Sequence, residues 1–197
     1  MKLSKAAMFG LDARIALAIF GALSVISGAA LYGAIKNAQE VAYITGLAEV
    51  EKAIEAYYID TGVYPTGVAN DYFELEKLNV EPSGVTGWNG PYINLTNGTS
   101  RYFDFKILGG SVLGVNYGKD VSWGLSRINC ATMLAGQTCS LWVATQWSTK
   151  SAAESFDKRI DGSIDHNNGD VRLMCPTSGA HLGECTIYYK MDLHSNI

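Results

Sequence analysis

The sequence has no surplus of positive charge: 15 Lys and Arg face 19 Asp and Glu, a formal net charge of -4. A nucleic-acid module would carry a basic patch or stripe, so no nucleic-acid partner is expected. Charge of either sign is sparse. It makes up 17% of the 197 residues while 48% are hydrophobic, which excludes a disordered chain and leaves enough apolar surface for one packed domain plus an appendage. Histidine is scarce too, and His166, His181 and His194 lie in Gly- or Asn-rich or terminal contexts that read as surface. No H-E-x-x-H, P-loop, nucleophile elbow or C-x-x-C occurs. Nothing in the spacing points to catalysis, and the chain reads as a non-enzyme.

What is present is distributed unevenly. Residues 15–35 form an uncharged apolar run. As a helix rising about 1.5 Å per residue it reaches roughly 32 Å, enough to cross a bilayer core. In front of it Lys2, Lys5 and Arg14 outnumber Asp12, which holds the N-terminus in the cytoplasm and sends the rest of the chain across. A secretory signal peptide cut near Ser27-Gly28-Ala29 is the alternative, but the run is longer than the usual apolar core of such a peptide. A transmembrane anchor is expected.

No proline falls between Lys36 and Ile59, where apolar residues recur at Tyr43, Leu47, Val50, Ile54 and Tyr57. Those steps of four and three mark one helix face. The spacing predicts a single helix over 11–60, stopped by Asp60-Thr61-Gly62, apolar all round over its transmembrane half and amphipathic beyond it.

A short basic leader, a carboxylate before an apolar helix and an amphipathic continuation resemble a type IV pilin or type II secretion pseudopilin. The segment MFGLDARIALAIFGAL is similar to a degenerate prepilin motif. Tyr57-Tyr58-Ile59-Asp60-Thr61-Gly62-Val63-Tyr64-Pro65 is similar to the turn that follows the pseudopilin helix, and Gly87-Trp88-Asn89-Gly90-Pro91-Tyr92 to its G-P-Y turn into the sheet. The resemblance spans residues 11 to about 95. It implies a leader within residues 1–10, cut between Ala7 and Met8 or between Gly10 and Leu11, and N-methylation of the new terminus. It also makes Asp12 the assembly carboxylate that pairs with the amine of a neighbouring subunit. An ionised group at the buried end of a membrane helix is costly unless paired. An ordinary headgroup-level residue favoured by the helix dipole would look the same.

Residues 61–197 read as an exported α+β domain of type IV pilin-like fold, a long helix on an antiparallel sheet with disulfide-closed loops. Residues 102–108 and 186–191 read as strands, Asn97-Gly98 as a hairpin turn, and 126–133 and 149–160 as helices. Cys130, Cys139, Cys175 and Cys185 suggest two disulfides in an oxidising compartment, with the local pairings Cys130–Cys139 and Cys175–Cys185 favoured because each closes a Gly-containing loop. Their spacing does not suit zinc. Between Asp157 and Asp170 lies an acidic loop in which Asp161, Asp165 and Asp170 are candidate calcium ligands, although the spacing is not that of an EF-hand. The resemblance supports calcium there; a turn whose Asx side chains cap their own backbone reads the same.

The expected function is that of a structural subunit of a type IV pilus-like extracellular filament serving adhesion, motility or secretion. It would be a homo-oligomer held in the bacterial inner membrane until assembly, then periplasmic or surface-displayed. The resemblance adds a prepilin peptidase and pilus or secretion machinery as partners. The disulfide-closed C-terminal half leans towards a pilin, the Y-P and G-P-Y turns towards a pseudopilin. The alternative is a membrane-anchored periplasmic binding domain, calcium-dependent or not, that does not polymerise.

Overall fold

The structure is a computed structural model that describes residues 4–67, 72–124, 127–130 and 136–192. It divides into two compact units, Met1–Val41 and Ala42–Ile197, each described by itself. Helix α1 is Ser4–Thr61, longer at its start than the expected 11–60. Residues 4–10 contain no proline to stop it. It ends where Thr61 Oγ1 donates to Tyr57 O (2.7 Å) and Gly62, at φ 73°, donates its N–H to Tyr58 O (2.8 Å). That left-handed position suits glycine.

In the second unit follow a one-turn 3-10 helix Leu75–Leu78 and strands β1 (Asn97–Thr99), β2 (Tyr102–Asp104), β3 (Val112–Lys119) and β4 (Cys139–Thr149). Helix α2 (Lys150–Asp161) and strands β5 (Val171–Met174) and β6 (Glu184–Lys190) complete it. The strands form one antiparallel sheet in the order β1-β2-β3-β4-β6-β5.

The face predicted for α1 is the face it buries. Tyr43, Leu47, Val50, Ile54 and Tyr57 are buried with Leu113, Val115, Leu141, Val143, Ile187 and Phe156 in one core. Tyr43 packs edge-on against Phe156 and donates its hydroxyl to Thr145 Oγ1 on β4 (2.8 Å). Burial pushes that phenol well above the usual tyrosine range, so the hydrogen bond is held by a neutral donor. Gly46 lets α1 approach Phe105, whose ring would stand 2.8 Å from a Cβ there. The other sheet face carries a smaller core. Arg172 lies over Trp123 (4.6 Å to the centroid) and Trp142 (4.4 Å), and Tyr188 meets Trp123 edge-on.

Four local expectations are corrected or sharpened. Asn97-Gly98 is strand, not turn: Asn97 pairs with Phe103 and Thr99 with Tyr102, so the chain reverses at Ser100-Arg101. The strand expected over 102–108 stops at Asp104 because Leu108 (φ 55°) and Gly109 (φ 76°) turn the chain, with Gly110 donating to Ile107 O. Within the helix expected over 126–133, residues 127–130 are not helical, and the N–H of Lys119 donates to Ile128 O; Ser126 and residues 131–133 lie outside the described residues. The helix expected over 149–160 is α2, with Thr149 as N-cap and Gly162 as left-handed C-cap.

Candidate functional site

The described residues of the first unit form one helical segment, and from Ile15 onward its large apolar side chains face outward. Phe20 is 71% exposed and Val25 73%, and Ile15, Leu17, Ile19, Leu23, Ile26 and Leu31 are exposed as well. Among the described residues this is the one helix long and apolar enough to cross a membrane. Within it the Ser24 hydroxyl is satisfied by the helix itself, Oγ donating to Phe20 O (2.8 Å), which lowers the cost of placing that serine in hydrocarbon. Asp12 and Arg14 are exposed at its start. Gly10 is exposed in the helix, while the side chains of Ala7, Met8 and Leu11 lie outside what the structure describes. Such a surface is unstable in water unless lipid or other apolar helices cover it.

In the second unit both loop motifs brace the C-terminal end of α1. Gly87, at φ 86°, lies against the backbone of Asp60, and a Cβ there would meet Asp60 O at 2.3 Å. Tyr92 packs edge-on against Tyr57 and donates its hydroxyl to Asp60 Oδ2 (2.9 Å) while accepting the N–H of Asn89 (2.8 Å). Trp88 Nε1 donates to Lys77 O (2.9 Å), and Gly90 fits between the Trp88 and Tyr92 rings before the cis Gly90-Pro91 bond. On the helix side Tyr58 stacks on Tyr64, with ring centroids 4.5 Å apart. The motifs are thus a clamp on the last turn of α1.

The cysteines pair as Cys130–Cys139 and Cys175–Cys185, and none is free. In the acidic loop the Asp161 and Asp165 carboxylates are engaged by the protein. Asp161 accepts the N–H groups of Asp170 (3.2 Å) and Val171 (2.9 Å). Asp165 accepts Asn167 N–H and Asn168 Nδ2, both at 3.0 Å. The Asn168 amide and then the Asn167 N–H hold the Asp165 carboxyl below its usual range. Asp170 follows Gly169, over which the Asp161 carboxylate lies. Among the described residues no group of three His, Cys, Asp or Glu side chains is placed to hold a metal ion. His166 Nε2 lies 3.2 Å from Glu154, and His181 stacks on Trp147 with Nδ1 2.8 Å from Glu184; His194 lies outside the described residues. Sequence reasoning missed Trp147, which holds φ 65° at a bulge in β4, because no local pattern marks it.

Comparison with known families gives one match. The model of the type II secretion system (T2SS) protein G matches residues 30–104, under half of the chain. The matched stretch runs from the end of the apolar run through the amphipathic part of α1, both loop motifs and β2. Both disulfides and the acidic loop lie beyond it. No curated protein and no solved structure matches.

Proposed function

We propose that this chain, whose residues 30–104 match the model of the type II secretion system protein G, is a non-catalytic structural subunit of a secretion-type filament, anchored by α1 until it assembles. The observation that carries this reading is the contrast along one helix. Residues 43–57 supply a buried face to the domain core, and residues 15–35 present apolar side chains that the chain itself leaves uncovered. Covering them with lipid, and then with the same segment of neighbouring copies, removes apolar surface from water in both states. A tethered receptor would tolerate a flexible linker between anchor and domain, whereas here the helix is continuous from Ser4 to Thr61. The family match tilts the choice from a surface pilin towards a pseudopilin of the secretion machinery.

The test is the intact mass and N-terminal sequence of the protein from native membranes and from sheared surface material. The expected species lacks residues 1–7 or 1–10, is about 14 Da heavier through N-methylation, and occurs in the sheared material. It would also decide between Met8 and Leu11 as the first residue and so give Asp12 its place in the assembled subunit. A full-length, unmethylated protein confined to membranes overturns the filament reading in favour of a tethered binding domain.

A further inference from the structure

The apolar run ends on a pair of residues that the filament reading does not use. Lys36 carries the first charge after Arg14, and its Nζ lies over the Tyr32 ring, 5.7 Å from the centroid. Tyr32 itself is exposed. Helical side chains lean towards the N-terminus, so the Lys36 stem runs back along the helix and delivers its ammonium beside Tyr32, a turn before its own Cα. An ammonium is costly in hydrocarbon. A tyrosine ring with its hydroxyl settles at headgroup depth. Both groups demand the same layer, and the geometry places them together.

We propose that Tyr32 and Lys36 form one interfacial anchor for the lipid headgroup layer on the exported side, ending the hydrocarbon span at Leu31. This rests on the membrane-anchored reading above. Composition alone would carry the span on to Ile35, the last residue of the uncharged run. The difference is four residues, about 6 Å of helix. The span becomes residues 15–31, about 26 Å long, which sits at the short end of what crosses a bilayer. Ile35 then stands among headgroups despite being apolar, and the ammonium of Lys36 faces the phosphates with the protons that the Tyr32 ring leaves free.

All four native cysteines are locked in disulfides, so a cysteine introduced at any one position from 26 to 40, other than 32 and 36, is the sole thiol. The experiment spin-labels this series in the full chain, reconstituted in phosphatidylcholine–phosphatidylglycerol vesicles. Depth is read from collision with oxygen against a water-soluble nickel chelate. The expected profile leaves the hydrocarbon between 31 and 33, and Tyr32→Leu with Lys36→Leu moves that crossing at least three residues towards the C-terminus. A crossing at or beyond Ile35 in the native sequence, or one that the double variant leaves in place, overturns the anchor while the chain remains membrane-embedded. Labels at 26–31 that stay in water overturn the membrane reading itself, and the anchor with it.

Discussion

Asp157 has a fully buried side chain. One carboxylate oxygen accepts the N–H of Asp165 (3.0 Å), and the other has no partner among the described residues. Burial above all, reinforced by Asp161 and Asp165 and opposed by that N–H and by His166, pushes its carboxyl up to about 6. The folded domain therefore holds this proton more tightly than the unfolded chain does. The associated stability is present at and below the ordinary carboxylate range and is lost as pH rises towards 6. The displacement corresponds to about 1–3 kcal/mol. Urea denaturation between pH 4 and 7.5 should show a loss of that size, and Asp157→Asn should flatten it; an unchanged slope in the variant would remove Asp157 as its source. Arg172 is the opposite case, a buried cation with partners. One of its terminal nitrogens donates to Lys119 O (3.2 Å) and Val121 O (2.7 Å) between the two indoles. Desolvation lowers its pKa without removing its charge. Arg172→Ala should cost about 2–4 kcal/mol, from packing lost between the indoles and from the donor lost to Val121 O, read as a fall in urea midpoint at constant m-value.

At the scale of elements, the clamp on α1 and the acidic loop make separate predictions. Gly87→Ala forces a Cβ onto Asp60 O at a backbone angle that L residues avoid. It should cost about 2–4 kcal/mol, and calorimetry should show a Tm lower by many degrees. Loop 162–170 is closed by the carboxylates of Asp161, at the end of α2, and Asp165, so millimolar calcium is expected to leave Tm within about 1 °C, whereas occupancy at about 100 times Kd would add about 2.7 kcal/mol. A rise of several degrees would mean that Asp161 and Asp165 give up their N–H partners to a cation. What the sequence made legible follows the same division. Tyr43, Leu47, Val50, Ile54 and Tyr57 could be read because helix periodicity is local, and α2 because Thr149 and Gly162 punctuate it. The Ser100-Arg101 reversal could not be read, because the strand pairing of Asn97 and Thr99 overrides a strong turn signal. Leu108 at φ 55° and the Arg172 sandwich were illegible for a related reason. The first is held by its tertiary setting, and the second joins β5 to Trp123, far away in the chain. Of the candidate site, the apolar surface was legible in full, while the clamp was visible only as two resembling motifs whose contact with Asp60 needed the fold.

For the whole molecule, the filament reading assigns Asp12 a role that the free chain does not need. Asp12→Asn should leave the protein in the membrane fraction and reduce the sheared surface material at least tenfold, a factor that about 1.4 kcal/mol of lost pairing supplies. Material sheared at the native level from the variant would show that assembly does not use this carboxylate. The placement of the disulfides has a mechanical consequence. Both close loops on the sheet side, Cys130 to Cys139 and Cys175 to Cys185, and neither reaches α1. Residues 43–57 are joined to the rest of the domain by apolar contact and by hydrogen bonds that include Tyr43 to Thr145 and Asp192 N–H to Glu51, and the clamp at Asp60 follows them. Tension entering the domain along α1 and resisted at the sheet therefore loads that seam in shear, and no covalent cross-link shares the force. Under such a load α1 is held to the sheet by non-covalent contacts alone, and the stapled loops lie outside the path of the force.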